Sequence, residues 1–504
     1  LTERLAIIDL GSNSARLIVM HIYHNDAYNL VYHQKEIVRL SEGAGESRVL
    51  SKEAMWRAIN SLKVFAHMCE LVQADKILAV ATAAVRNAHN GQEFLQLVYQ
   101  HTGIPLQAIS EETEALLGYI GVINTIDVKD ALLFDLGGGS TEVTLIRDRQ
   151  PLEMLSIPYG SLNLTEMFGT SDKITEEKLN EMRNFVMGYL HRHTWLKNLS
   201  LPVVGIGGTA RNIAKMDQKR KNYPFPKVHN YRLGPMAFEE LWYALIKTNL
   251  TQRRKFPGLS NERADIIIAG TTIAKSLLDV SRGTSLAISG CGVREGMFLK
   301  YYLERKGQKE IIPDILAHST HNMLLFYKGN ESHHYHIAGL AASMFDGWQP
   351  VHKLGSREKS LLNVAALLHD IGIAINYYDH ARHSAYLVEN ARLFGLTHRE
   401  QMLAAVVAGW HSGYSAKYVR HKLYSEFLDQ ADWQVARRLA LILALAESLE
   451  TTQMGLVRKV EATIAADQAH LKLITDDPVV IERQAVVQHK KWFKKELGVD
   501  LVVV

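Results

Sequence analysis

Two stretches of this chain set an aspartate before a turn rich in small and hydroxyl residues. They are Ile8-Asp9-Leu10-Gly11-Ser12-Asn13-Ser14 and Phe134-Asp135-Leu136-Gly137-Gly138-Gly139-Ser140, the second running on into Thr141 and Glu142. Glycines after an apolar run let backbone amides come close to an anion, and the Ser and Thr hydroxyls add donors. One such turn is commonly a hairpin. Two at a constant offset, each preceded by Asp, point to paired phosphate cradles. Asp9 and Asp135 are then natural anchors for Mg²⁺, with Mn²⁺ as a substitute, because that ion takes a few carboxylates and fills its shell with water and phosphate oxygens. Glu142 lies seven residues beyond Asp135 on the expected next strand and is a third candidate ligand. A further small-residue run, Gly205-Ile206-Gly207-Gly208-Thr209-Ala210, leaves one strand for a helix and offers Gly207, Gly208 and Thr209 as phosphate or nucleotide contacts. The same run also suits a close helix–strand crossing.

Other residues could do different chemistry. Leu367-Leu368-His369-Asp370-Ile371-Gly372 puts an adjacent His-Asp pair on an apolar helix. Such a pair is costly to bury unless it is bonded or holds a metal. Near the end of the chain, Lys490, Lys491, Lys494 and Lys495 share one helix face around Trp492 and Phe493, which suits either a solvated face or a polyanion path.

These residues need elements to position them. Leu5–Leu10, Ala15–Tyr23 and Tyr28–Leu40 read as strands, with a turn at Asn25-Asp26. Met55, Ile59, Leu62, Ala66, Cys69 and Val72 recur at helical spacing behind a cap at Ser51. A strand at Lys76–Ala81 and a helix at Gly91–His101 complete the order βββαβα. The pattern then restarts, with strands at Ala131–Asp135, Glu142–Arg147 and Glu153–Ile157, a helix at Thr175–Leu196 and a strand at Pro202–Ile206. A duplication of this kind predicts two similar α/β lobes facing each other across a cleft. Beyond about Lys306 strand signals vanish and helical periodicity runs to about Glu450, with eleven of the 23 histidines between His318 and His411. From Val457, short β-like runs (Ala462–Ile464, His470–Ile474) flank a helix near Val479–Leu497. The expected division is therefore residues 1–125 and 126–305 for the lobes, 306–455 for an all-helical domain and 456–504 for a small α+β tail.

Composition bounds the classes. The chain has 504 residues, 47% hydrophobic and 22% charged, which excludes wholesale disorder and fibrous repeats. Its only cysteines, Cys69 and Cys291, cannot build a disulfide framework or a Cys-rich zinc module, so a reducing, cytoplasmic setting is expected. No apolar run approaches the ~20 residues of a membrane span. Leu361–Leu368 and Leu439–Ala446 are short enough to be buried helix, and the early strand leads us to expect no signal peptide. A net charge of +4 tolerates a polyanionic partner without requiring one, and no nucleic-acid recognition module is visible.

Taken together, the two Asp-Leu-Gly turns and Gly205–Thr209 resemble the exopolyphosphatase/guanosine pentaphosphate phosphohydrolase family. That family belongs to the actin-like, sugar-kinase and Hsp70 ATPase superfamily. Val38-Arg39-Leu40, Ala81–Ala88, Arg263-Ala264-Asp265 and Gly292-Val293-Arg294-Glu295-Gly296 strengthen the likeness, which spans about Leu5 to Leu299. It implies two actin-like (ribonuclease H-like) lobes and hydrolysis of a terminal phosphoanhydride, releasing orthophosphate from inorganic polyphosphate or converting guanosine pentaphosphate to tetraphosphate. Gly11, Ser12, Asn13, Ser14, Gly137, Gly138, Gly139, Ser140 and Thr141 would cradle phosphate, with Arg86 and Arg263 as further ligands and Arg39 and Arg294 as weaker ones. The family's catalytic Glu aligns on Glu114 within Ser110-Glu111-Glu112-Thr113-Glu114-Ala115, with Glu111 or Glu112 as the fallback; the same carboxylates would also stabilise a helix start. The resemblance makes a homodimer the expected assembly, and no membrane association is expected. Leu367–Gly372 in turn resembles the HD phosphohydrolase superfamily, which implies either a second metal site at His333, His369 and Asp370, with His383 or His411 adding ligands, or a hydrogen-bonded structural remnant of such a site that shapes a substrate canyon. That superfamily's distant Asp has no counterpart here, the nearest carboxylates being Glu447 and Glu450. Two readings from other classes stay open, a sugar-kinase-like phosphotransferase and a non-catalytic polyphosphate or nucleotide sensor.

Overall fold

The computed structural model describes the chain apart from residues 1, 44–46, 416–417 and 419–420. It divides into two compact units, Leu1–His24 with Tyr28–Pro313, and Asn25–Ala27 with Asp314–Val504. The boundary falls past the expected 305/306 because the side chain of Asn124 donates to the Glu310 carbonyl and accepts from the Ile312 amide.

The first unit carries two sheets. One comprises β1 (Glu3–Leu10), β2 (Ser14–Ile22), β3 (Tyr28–Ile37), β4 (Lys76–Ala81) and β5 (Gln107–Ala108) in the order β3-β2-β1-β4-β5. The other comprises β6 (Ala131–Leu136), β7 (Thr141–Arg147), β8 (Gln150–Ile157), β9 (Val203–Ile206), β10 (Tyr231–Leu233) and β11 (Leu286–Ile288) in the order β10-β11-β9-β6-β7-β8. In both, three antiparallel strands lead into parallel ones: β1 pairs with β4 as β6 pairs with β9. The duplication seen in the residues is thus a duplication of topology, and the fold is α/β with two actin-like lobes. The central strands are buried on both faces, which is why β1 and β6 read as continuous apolar runs rather than alternating ones. Separate apolar cores fill the lobes, one around Phe65 and Phe94, the other around Phe134, Phe238 and Trp242.

Two helices of this unit, Glu111–Ile123 and Val293–Arg305, cross with almost no side chain between them. A Cβ on Gly121 would come within 2.4 Å of the Gly292 carbonyl oxygen, and one on Gly296 within 1.9 Å of the Leu117 carbonyl oxygen. This contact holds the first turn of Val293–Arg305, which carries Arg294 and Glu295, against the middle and end of the helix that starts with Glu111–Glu114.

The second unit is helical, with Glu331–Gly347, Ser356–Leu368, His380–Asn390, His398–Gly409 and Gln430–Ser448 packed around buried Trp348 and Trp410. The apolar runs Leu361–Leu368 and Leu439–Ala446 lie in its buried helices, and no helix among the described residues is long and apolar enough to cross a membrane. A three-stranded sheet follows, made of β12 (Lys459–Ala465), β13 (Gln468–Ile474) and β14 (Asp500–Val503). The tail helix is two helices, Val480–Gln488 and Lys490–Leu497, broken at His489. Phe493 is buried against Trp348 and is not part of the basic face.

Candidate active site in the cleft of the first unit

The two Asp-Leu-Gly turns close in the same way, with the Gly11 amide donating to the Ser14 carbonyl at 3.1 Å and the Gly137 amide to the Ser140 carbonyl at 3.0 Å. They face each other: a Cβ on Gly138 would sit 3.3 Å from Ser12 Cβ, and one on Gly139 would sit 2.8 Å from Ser12 Oγ. Their carbonyls are occupied from behind. Gly137 O accepts from the amide and hydroxyl of Ser161, Gly138 O from the amide of Leu162, and Gly139 O from Asn163 Nδ2. Because a trans peptide holds its N–H opposite its carbonyl, this directs the amides of Gly138, Gly139 and Ser140 away from that helix start. In the other lobe, Asn13 O accepts from the amides of Val38 and Arg39, which turns the Ser14 amide the opposite way. Val38-Arg39-Leu40 is therefore a clamp on the first turn, and the Arg39 side chain is paired with Asp265 at 2.9 Å.

A cavity of about 100 Å³ lies between the turns. Asp9, Gly11–Ser14, Glu114, Asp135, Gly137–Ser140, Gly207, Gly208 and Arg263 all line it, as the sequence led us to expect. Several expected residues do not line it. Thr141 is fully buried and its hydroxyl donates to the Tyr159 carbonyl. Thr209 is likewise fully buried, its hydroxyl lying against Gly270. Arg86 pairs instead with Glu114 at 2.8 Å and Glu111 at 3.6 Å. Glu142 sits behind the cavity wall, 3% exposed, and accepts from Ser156 Oγ.

Three charged lining residues carried no site role in the sequence reading: Arg16, Arg211 and Glu295. The duplication held the signal for the first. Asp9 pairs with Arg16 across β1 and β2 as Asp135 pairs with Glu142 across β6 and β7. Arg16 thus stands where the second lobe has Glu142. Arg211 lies one turn past Gly207 at the start of the helix Gly207–Arg220, and Glu295 caps the Gly292 amide at 2.9 Å.

Charge is concentrated here. Burial holds Arg16 down at about 9 and Arg211 and Arg263 at about 10, with their guanidinium neighbours adding to the effect. All three remain protonated at neutral pH. Burial likewise raises Asp135 to about 6, with Asp9 adding repulsion, and raises Asp9 itself. Glu114 is pushed up to about 7 by burial, against the lowering pull of Arg86, and Glu142 goes well up through burial and the charge of Glu114. Of the three clustered glutamates only Glu114 is turned inward, since Ser110 caps the helix through the Thr113 amide and leaves Glu112 exposed.

Asp9 and Asp135 fit a hard dication: they are half-buried oxygen ligands that repel each other without one. Glu142 does not join them, because the three carboxylates do not bring ligand atoms within 4.8 Å of one another.

Gly207 and Gly208 serve close packing. Gly207 has φ +98°, a left-handed conformation, and Gly208 lies under the Arg263 guanidinium, which a Cβ would meet at 2.0 Å. Gly208→Ala is therefore expected to displace Arg263 and weaken binding of inorganic phosphate about tenfold, the loss of one charge-assisted contact. Calorimetric titration with orthophosphate checks this.

A family model described as the Ppx/GppA phosphatase family matches residues 18–305, and one described as Ppx/GppA phosphatase, domain III matches residues 315–491. A bifunctional 3-dehydroquinate synthase/phosphatase of Fusobacterium nucleatum is 31% identical over 287 residues, which is 54% of this chain and 43% of that protein, so the chain spans less than half of that relative. Among solved structures, an Aquifex aeolicus Ppx/GppA family member is 28% identical with a TM-score of 0.53 and covers 60% of this chain and 99% of its own. An exopolyphosphatase from Cytophaga hutchinsonii shares the fold at 23% identity, with a TM-score of 0.56 over 61% of this chain and 99% of its own.

Proposed function

The chain belongs to the Ppx/GppA phosphatase family, and we propose that it hydrolyses the terminal phosphoanhydride of inorganic polyphosphate, releasing orthophosphate. The observation that carries this reading is the meeting, in one small cavity, of an inward carboxylate at Glu114, two amide-lined turns, and the guanidinium groups of Arg16, Arg211, Arg263 and Arg294. In phosphoryl transfer the protein mainly positions the reactants and stabilises charge on the equatorial oxygens. The amides of Gly138, Gly139, Ser140 and Ser14 and the hydroxyls of Ser12 and Ser14 suit the terminal phosphoryl group, and the arginines suit its oxygens and the phosphate behind it. Glu114 accepts a proton from the attacking water as the bridging P–O bond breaks and the shortened chain leaves with the electron pair. Mg²⁺, held by Asp9 and Asp135, would neutralise charge on the phosphate oxygens.

Arg86 is then a positioning residue. It lowers the Glu114 pKa through a hydrogen bond and its charge. Its replacement, Arg86→Ala, should therefore raise that pKa further. Less Glu114 is ionised at neutral pH, so activity at pH 7 is expected to fall about tenfold and to recover as pH rises. A pH–rate profile checks this; a loss uniform across pH would oppose it.

The 5′-triphosphate of guanosine pentaphosphate ends in the same group and is the second reading. Orthophosphate release with Mg²⁺ from long-chain polyphosphate and from guanosine pentaphosphate separates them. Higher kcat/KM on polyphosphate supports the proposal, preference for the guanosine substrate moves the role, and release from neither overturns the hydrolase reading.

A further inference from the structure

The histidine cluster expected from the sequence assembles within the second unit. His333, His369, Asp370 and Glu447 bring one ligand atom each within 4.8 Å of one another, and Asp370 does the same with His380 and His411. His383, expected beside them, is in neither group and packs under Gly372, whose Cβ would sit 2.8 Å from His383 Cβ. The same unit also carries a basic cavity with aromatic walls.

This cavity, of about 680 Å³, is lined from the helices Gln430–Ser448 and Lys490–Leu497 and from Tyr414, in the loop after His398–Gly409. The basic face expected on the tail helix divides around it. Lys491 and Lys495 line the cavity with Trp492, whereas Lys494 pairs with Asp500 at 2.9 Å. The longer helix adds Arg437 and Arg438. Glu496 neutralises Arg437 at 3.1 Å. Arg438 donates to the His352 carbonyl at 3.0 Å, which holds its guanidinium without neutralising it. Arg438, Lys491 and Lys495 thus bring three positive charges to one cavity, with no acidic partner among the described residues. The tail helix bears its charge against its own preference. Lys490 and Lys491 stand in its first turn, where the macrodipole disfavours cations and no acid offsets them. Lys491 and Lys495 are like charges one turn apart, which costs stability until an anion relieves it.

The aromatic rings have fixed footings. Trp492 is half-buried and meets the His489 ring at 6.0 Å, and His489 Nε2 lies 3.1 Å from Ser448 Oγ. Tyr414 is half-exposed and packs on buried Trp410, with ring centroids 4.9 Å apart. A phosphate chain alone needs cations and neither ring. Rings and cations in one cavity suit a planar base joined to phosphates, the base by stacking and the phosphates by charge-assisted hydrogen bonds. Gln434, also on the wall, offers both a donor and an acceptor to a base edge. The volume falls within the roughly 300–1,000 Å³ of cavities that take small ligands and cofactors.

We propose that the second unit binds a nucleoside triphosphate in this cavity, its base against Trp492 and Tyr414 and its phosphates on Arg438, Lys491 and Lys495. Three unpaired cations match a triphosphate better than a single phosphate. The cavity shares no lining residue with the cleft of the first unit.

The test is calorimetric titration of the full chain, in EDTA, with the β,γ-imido analogue of ATP, beside adenosine and tripolyphosphate. One equivalent of the analogue is expected, held at least about tenfold more tightly than either fragment, because binding one half tethers the other. Trp492→Ala should weaken it about tenfold, the worth of one stacked base. Lys491→Ala with Lys495→Ala should weaken it further and flatten its salt dependence. Arg211→Ala, in the cleft, should leave it unchanged. Should Trp492→Ala fail to fold by circular dichroism, Tyr414→Ala at the rim carries the same expectation. No uptake overturns the proposal. Uptake lost in Arg211→Ala and kept in the tail variants also overturns it and moves the nucleotide to the cleft. Tripolyphosphate bound as tightly as the analogue, and equally by Trp492→Ala, overturns the nucleotide and leaves a site for a bare phosphate chain.

Discussion

Glu114→Gln is expected to lower kcat for orthophosphate release by about 10³-fold with little change in KM, because the amide keeps the shape and loses the proton acceptor. The side chain is buried beside Arg86, and Gln can still accept from that guanidinium, so folding should be preserved. The pH profile makes the test specific. With Glu114 pushed up to about 7, wild-type kcat/KM should rise as pH passes through about 7, because only the ionised carboxylate takes the proton. That limb should vanish in the variant. Steady-state phosphate release across the neutral range decides it. A variant within about tenfold of wild type would move the base elsewhere.

Asp135→Asn is expected to cost at least about a hundredfold in kcat/KM and, at the same time, to stabilise the chelator-stripped protein. The sign follows from linkage. Asp135 is raised to about 6 in the folded chain, from an ordinary value of 3.8. Between those values the folded state binds more protons than the unfolded one, so stability falls as pH rises and the full penalty stands above about 6. Asparagine removes the charge and the repulsion of Asp9. At pH well above 6 the variant should melt a few degrees higher without metal. Mg²⁺ should raise the wild-type melting temperature and leave the variant nearly unchanged. Scanning fluorimetry with and without Mg²⁺ reads both effects, and a variant that melts lower without metal would argue against a strained carboxylate pair.

The cleft's turns were legible because backbone demands are local. A Gly-rich run after an apolar strand means nearly the same thing wherever it occurs, and its repetition located both lobes. Side chains that reach the site from regular elements were not legible in that way. Arg16 sits at the start of a strand that is otherwise largely apolar and buried, and only its register opposite Asp9 marks it. Arg86 was seen and given the wrong neighbour, because nothing local says whether an arginine meets substrate or the carboxylate of Glu114. Thr141 and Thr209 belong to the right motifs but turn into the packing. The missed strands β5, β10 and β11 have two or three residues, too few for any periodicity. The break at His489 is hidden because buried Val486 and Phe493 stand seven residues apart across it, a spacing that continues one helical face. In the helical unit, His369-Asp370 was visible as a pair, whereas His380 and Glu447 were assembled only by tertiary packing.

The exchange of Arg16 for Glu142 at equivalent positions has a consequence for direction. Two identical halves would enclose a cleft with a pseudo-dyad, and a phosphate chain could thread it equally from either side. The inversion of charge at one matched site breaks that symmetry. One side then offers a guanidinium to the cavity at Arg16, while the matched residue of the other, Glu142, is withdrawn behind the wall and offers none. A duplicated scaffold thereby acquires a front and a back, and the phosphate substrate proposed above would meet unlike walls on its two sides.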